Sequence, residues 1–214
     1  MKQNNSVIIR QLVVGQLQTN CYIVADQKKM EAIIIDPGDD AEYIENTLRD
    51  LNVLPKQIIA THGHFDHILA AWELQLAYKI PFLIHEKDTF LVERMHETAK
   101  HFLHIDVSSL PPKVDTYLTS SQKVTTGEFV MTIIETPGHT PGSVCLYLQK
   151  ENVLFTGDTI FANSGVGRTD FSYSSITDLK KSIKAILNFP ETTRLYSGHG
   201  ELTSIQAEKS FHLL

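Results

Sequence analysis

The sequence predicts an α/β layered domain built from two similar halves. Three observations carry this. Apolar, β-branched runs of strand length alternate with amphipathic stretches of helical period. The halves echo each other: "IIATHGH" at 58–64 resembles "IIETPGH" at 133–139, and "FTGD" at 155–158 resembles "YSGH" at 196–199. A length of 214 residues suits one domain, 1–214, with a sizeable core. No Pro/Gly/Ser-rich linker, low-complexity tract or long charge run divides it.

The elements follow in order. Strands are expected at residues 7–14, 21–25 and 31–38. "DDAEYIENTLRDL" places Ile44, Leu48 and Leu51 at i, i+4 and i+7, an amphipathic helix with Asp39 or Asp40 as cap. "QIIA" is a short strand, residues 66–78 read as helix, "PFLIH" as strand and residues 86–103 as helix again. In the second half "FVMTIIET", "SVCLYLQ" and "NVLFTG" are strands. "SSITDLKKSIKAILN" is a helix with Ile176, Leu179, Ile183 and Ile186 on one face, and Ser175 and Asp178 have capping-box spacing. "RLYSG" is a last strand.

Composition narrows the function classes. A net charge of −6 argues against nucleic acid as the main partner, because phosphate binding needs a basic face. Cys21 and Cys145 read as small buried residues, which suits a reducing compartment. "MKQNNSVIIRQLVVGQ" has no long apolar segment behind a basic start, so neither a signal peptide nor a membrane span is expected, and the cytoplasm is the expected location. The sequence leaves the oligomeric state open.

"THGHFDH" at 61–67 then demands a reason. At this chain's own residue frequencies such a His-x-His-x-Asp-His pattern arises by luck about once in a thousand chains. Three further strand ends present His139, Asp158 and His199 just after a glycine. His62, His64, Asp66, His67, His139, Asp158 and His199 together supply five imidazoles and two carboxylates. One ion that keeps a position open for water takes about three protein ligands, so seven suit two divalent ions with one carboxylate shared. In an extended turn, residues two apart point the same way, so His62 and His64 can grip one ion. Asp66 and His67, opening the next helix, can reach a second. Imidazole and carboxylate without thiolate suit zinc, iron or manganese, with zinc first.

These motifs, with "TPGHTPGS", "FTGDTIF", "GRTDF" and "SGHGELT" in that order, resemble the metallo-β-lactamase-fold hydrolases, and within them the short glyoxalase II-like proteins. The resemblance covers nearly the whole chain. It implies a four-layer αβ/βα sandwich: two mixed sheets, helices on the outer faces, metals at one edge. It implies that His62, His64 and His139 hold the first metal, that Asp66, His67 and His199 hold the second, and that Asp158 bridges them with a hydroxide. Asp66 is then also the catalytic residue that orients the hydroxide. The implied activity is hydrolysis of a small-molecule thioester of the hydroxyacylglutathione type.

Chemistry and resemblance weigh the alternatives. A thiolate leaves without a proton, whereas the amine of an opened lactam needs one, and no extra general acid stands in the motifs. Lactam-hydrolysing relatives typically lack the bridging aspartate that "TGD" supplies here. Nuclease relatives add an RNA-binding arm or second domain. The persulfide dioxygenases share similar histidine motifs and a "GRTDF" stretch but use one iron; the ending "SGHGELT" is closer to the small hydrolases. A metallo-hydrolase of another ester or lactone, and a non-enzymatic metal-binding module, complete the field. Only fifteen residues follow His199, so the helical extension by which full-length glyoxalase II enzymes help bind glutathione has no counterpart, and the thiol carrier stays open.

Around the constellation, Arg168 either binds a substrate carboxylate or pairs with Asp170. Phe161, Phe171 and Tyr173 are pocket wall or core. Asn20 reads as a loop organiser and Asp36 as a support for a ligand histidine, with Thr61 and Thr159 in similar work. His85 is expected to be structural; His96, His101, His104 and His212 are expected in solvent. Met95 and Phe102 are placed over the site's mouth, and residues 86–108 are expected to set specificity. Phe65 has no assigned role.

Overall fold

Strand β2 (Thr19–Asp26) is buried along its whole length. Its alternate side chains serve two cores: Cys21, Ile23 and Ala25 face one apolar cluster, Tyr22 and Val24 another. Such double burial is why this strand reads as a continuous apolar run rather than an alternating one. The structure, a computed structural model, describes residues 7–104, 106–120 and 122–212. Two segments invoked in the sequence reading, the N-terminal residues 1–6 and position 105 of the 86–108 insert, lie outside the described residues.

Two six-stranded sheets face each other. The first runs in the order β1 (Val7–Val14), β2, β3 (Glu31–Ile35), β4 (Leu54–Ile59), β5 (Phe82–His85), β6 (Val114–Leu118). The second runs β12 (Thr203–Ser204), β11 (Arg194–Ser197), β10 (Val153–Gly157), β9 (Val144–Leu148), β8 (Phe129–Glu135), β7 (Lys123–Thr126). Each sheet mixes parallel and antiparallel pairs. Between them lies the core of Tyr22, Ile33, Ile59, Phe129, Leu146 and Phe155.

Outer helices close both flanks. Ile44 and Leu48 of α1 (Ala41–Asp50) and Leu74 of α2 (Ala71–Tyr78) pack on the first sheet. Leu179, Ile183 and Ile186 of α5 (Ile176–Ile186) and Ile205 of α6 (Ile205–His212) pack on the second. The expected four-layer αβ/βα sandwich is what forms. Among the described residues no helix is long and apolar enough to cross a membrane.

Local departures have local causes. The third strand stops at Ile35 because Asp36 turns left-handed, at φ 52°. Asp40 sits at the start of α1 but is itself left-handed, and its carboxylate accepts from the Gly15 amide at 2.9 Å instead of capping the helix. The expected helix at 66–78 is split into a 3-10 turn (Phe65–His67) and α2, because Asp66 and His67 turn inward and the Ala70 amide bonds Pro37 instead. The expected helix at 86–103 becomes a 3-10 turn (Glu86–Asp88), α3 (Thr89–Glu93) and α4 (Met95–Leu103), with the break at Arg94. Ser175 caps α5 by accepting from the Asp178 amide at 3.2 Å, as its spacing predicts. The strands the sequence did not announce, β6, β7 and β12, are all edges. Short, half-solvated edge strands carry no continuous apolar run.

Candidate metal centre

The seven residues singled out by the sequence converge at one edge of the two sheets. His62 follows β4, His139 follows β8, Asp158 follows β10 directly, and His199 follows β11. The sheets are tied there by a bridge between Thr19 and His199, with the Asn20 amide on the Gly198 carbonyl at 2.7 Å. A side chain at Gly198 would run into Asp158 Oδ1 and His67 Cε1, so the approach of β11 to the site requires glycine.

Two groups form. In the first, His62 Nε2 lies 3.1 Å and His139 Nε2 3.0 Å from His64 Nδ1. In the second, His199 Nε2 lies 3.3 Å and His67 Nε2 3.7 Å from Asp66 Oδ2. Asp158 reaches both: Oδ2 is 3.5 Å from His139 Nε2 and 3.8 Å from His199 Nε2, and Oδ1 is 3.5 Å from His67 Nε2. The spacing fits metal ions, since ligand atoms bound at 2.0–2.1 Å in a tetrahedron stand about 3.3 Å apart. The donor chemistry fits too. His67 Nε2 and Asp158 Oδ1 are buried with no hydrogen-bond partner, a costly state unless a cation takes them. His62–His64–His139, His62–His67–Asp158 and Asp66–His67–His199 can each hold an ion.

The outer nitrogens of His62, His64 and His139 have hydrogen-bond partners, which fixes ring orientation and tautomer. His139 Nδ1 donates to the Arg168 carbonyl at 2.8 Å, and His62 Nδ1 is 3.2 Å from Thr61 Oγ1. His67 Nδ1 is 3.1 Å from Asp36 Oδ2, and Asp36 also accepts from the Thr61 amide and hydroxyl, both at 2.7 Å. Asn20 Nδ2 donates to the carbonyls of Ser197 and Gly200, holding the loop of His199. Thr159 Oγ1, by contrast, bonds Thr136 in the interior.

Electrostatics separate the groups. Burial and neighbouring imidazoles push His62 well down and His64 down to about 3. Burial also opposes charge on His67, yet Asp158, Asp66 and Asp36 together push it up to about 10. His199 is raised, against its own burial, by Asp66 and Asp158. Asp66 is held below the usual carboxylate range, burial notwithstanding, by His67 and His199.

Two contacts do not emerge from the sequence, which reads Tyr173 only as wall or core and assigns Asp88 no role. Tyr173 Oη lies 2.9 Å from His64 Nε2, the nitrogen turned away from His62 and His139. Asp88, fully buried, accepts from the Gly63 amide at 2.9 Å, the Thr140 hydroxyl at 2.6 Å and the Gly142 amide at 2.6 Å. It therefore pins the loop of His62 and His64 to the loop of His139. Only the folded arrangement shows that Tyr173 meets His64 and that Asp88 joins the two loops.

A chamber of about 740 Å³ opens onto His64, Asp66, His139, Asp158 and His199. Arg168 lines it, but with Nε and Nη2 on Asp170 at 2.9 and 2.6 Å and its plane over Phe171 at 4.6 Å. Phe161, Phe171 and Tyr173 are wall, and Phe65 gains a role: it stacks on Phe102 at 6.0 Å. Of the two residues expected over the mouth, Phe102 is there. Met95 is fully buried under α4 instead, because its face of the helix points at the first sheet. His85 is a buried strand end accepting from the Lys87 amide, and His96 bonds the Ser109 carbonyl. Both stand outside the triads.

Comparison with known proteins adds to this. A family model described as the metallo-beta-lactamase superfamily matches residues 14–199. A hydroxyacylglutathione hydrolase, GloC, of Haemophilus influenzae is 35% identical, with 92% of each chain covered. The crystal structure of the BLEG-1 B3 metallo-beta-lactamase is 37% identical with a TM-score of 0.88, covering 95% of this chain and 97% of that one. The structure of TTHA1623 in a di-iron-bound form is 30% identical, with a TM-score of 0.85 and 94% and 96% covered. ETHE1 from Myxococcus xanthus is 25% identical, with a TM-score of 0.77 and 96% and 83% covered.

Proposed function

The chain belongs to the metallo-beta-lactamase superfamily, and from that premise we propose that it is a dinuclear metal hydrolase cleaving a thioester of the hydroxyacylglutathione type. The observation that carries the proposal is Asp158, whose carboxylate reaches both triads at once. His62, His64 and His139 would hold one ion and Asp66, His67 and His199 the other, with Asp158 within reach of both. When bound, two divalent ions supply a water of lowered pKa and polarise a carbonyl. Zinc is the first choice for both, with iron and manganese chemically compatible with the same donors.

The chain's own groups then do the rest. Asp66, steadied by the Thr19 hydroxyl at 3.1 Å, orients the attacking water. The water oxygen bonds the acyl carbon as one water proton passes to the Asp66 carboxylate, the carbon–sulfur bond breaks, and sulfur leaves with the electron pair as thiolate, which afterwards takes up the proton that Asp66 releases. No proton donor is needed for that departure, because a thiol is acidic enough to leave ionised near neutral pH. Arg168 stands on the chamber wall with its guanidinium held by Asp170. The products are a carboxylic acid and a free thiol.

Metal analysis of the purified protein combined with thiol release from S-lactoylglutathione tests this. Two ions per chain and thiol release that His62→Ala abolishes are expected; full activity in a metal-free sample refutes the mechanism. The second reading, a mononuclear-iron persulfide dioxygenase, draws support from the likeness to ETHE1. One iron per chain with oxygen consumed on a persulfide would establish it in place of the hydrolase.

A further inference from the structure

The chamber beside the triads is walled by apolar side chains from several elements. Phe65 comes from the histidine loop, Leu91 from α3, Phe102 from α4, and Phe161, Val166 and Phe171 from the segment after Asp158. Phe102 is 39% and Val166 36% exposed, and Leu17 beside them 43%. Such exposure, continuous with a reaction site, marks a surface made to be covered by a ligand.

Its charges are already matched. Arg94 and Arg168 are the arginines among the lining residues, and among the described residues no lysine lines it. Arg94 places Nε and Nη2 on Glu97, both at 3.0 Å. Arg168 is bidentate on Asp170, with one face over Phe171 and Phe102 at 5.7 Å on another side. A substrate carboxylate would replace a carboxylate that is already there and strand it beside the newcomer. A thiol carrier with two carboxylates therefore finds no cationic surplus in this wall.

Resting on the thioesterase reading, we propose that the substrate bears an apolar arm, aromatic or alkyl, seated against Phe102, Val166 and Phe171. This arm, rather than a charged carrier, supplies the discrimination. The covered area of one aromatic ring, at about 25 cal/mol per Å², corresponds to tenfold or more in affinity.

The test uses the metal-loaded protein and non-cleavable thioethers in isothermal titration calorimetry. S-benzylglutathione should bind about tenfold tighter than S-methylglutathione, and Phe102→Ala and Phe171→Ala should each shrink that ratio. Arg168→Gln should leave the Kd of S-methylglutathione within about twofold. Equal binding of the two thioethers, or selective loss of S-methylglutathione in Arg168→Gln, overturns the proposal. A parallel panel of cleavable esters separates it from its premise. No thiol release with the binding ratio intact sinks the thioesterase reading and leaves the chamber's preference standing. Thiol release fastest from S-lactoylglutathione, with apolar esters slower, sinks the preference and leaves the reaction.

Discussion

The two triads share Asp158 and sit at one sheet edge, yet their surroundings are opposite. His62, His64 and His139 face one another, so burial and mutual repulsion keep His62 and His64 from holding protons. His67 and His199 face Asp66 and Asp158, with Asp36 behind His67, and are biased toward holding them. His62 and His64 thus offer free lone pairs near neutral pH. His67 and, in the same direction, His199 are biased toward keeping a proton that a cation must displace. Equal ligand count thus does not mean equal readiness: the carboxylates that strengthen the second site for a cation also strengthen its competitor, the proton.

Substitutions separate the two sites, and the largest effect falls where they join. Asp158→Ala should lower thiol release about 10²- to 10³-fold, the scale of removing a preorganised electrostatic group. His199→Ala should leave one ion per chain in metal analysis, still held by the first triad; loss of both ions together would break the comparison. Tyr173→Phe keeps the stacking on Phe171 but removes the partner of His64 Nε2. About tenfold weaker metal retention at the first triad alone is expected, read by chelator competition.

A pH dependence, up to about tenfold per pH unit, is the last effect, and its sign follows from His67. Its raised pKa means that the proton stabilises the metal-free fold fully below the ordinary value near 6.5, and this is lost as pH rises through about 10. Over the same window the proton ceases to oppose the cation. Retention of the second ion should therefore tighten from pH 6.5 upward while the first stays level. Metal titrations at two pH values check it, and parallel curves for both ions would contradict it.

How much of this was legible in the sequence depends on distance along the chain. The histidine loop is a local pattern, and the three further strand ends repeat the same apolar-run, glycine, ligand order, so all seven site residues could be read. Asp36, just past a strand that ends beside the site, was readable as a support for a histidine. Asp88 and the contact of Tyr173 with His64 were not: Tyr173 was readable as wall or core, but the partners lie 25 or more positions away, Gly63 and Thr140 for Asp88 and His64 for Tyr173. Helix boundaries failed where the site intervened, as at Asp66 and His67, whose inward turn interrupts the helical pattern. Met95 failed differently, because periodicity gives a helix face but not what that face meets.

The sequence by itself determined the layered class and the donor set, since both rest on side-chain period and residue type. It also fixed the glycines that let the strands meet. Only the tertiary structure decided which donors stand together, which imidazoles face carboxylates, and that Arg168 turns to Asp170 rather than offering a free charge. Those are matters of separation across the fold, and Coulomb and hydrogen-bond energies depend on that separation, not on order along the chain.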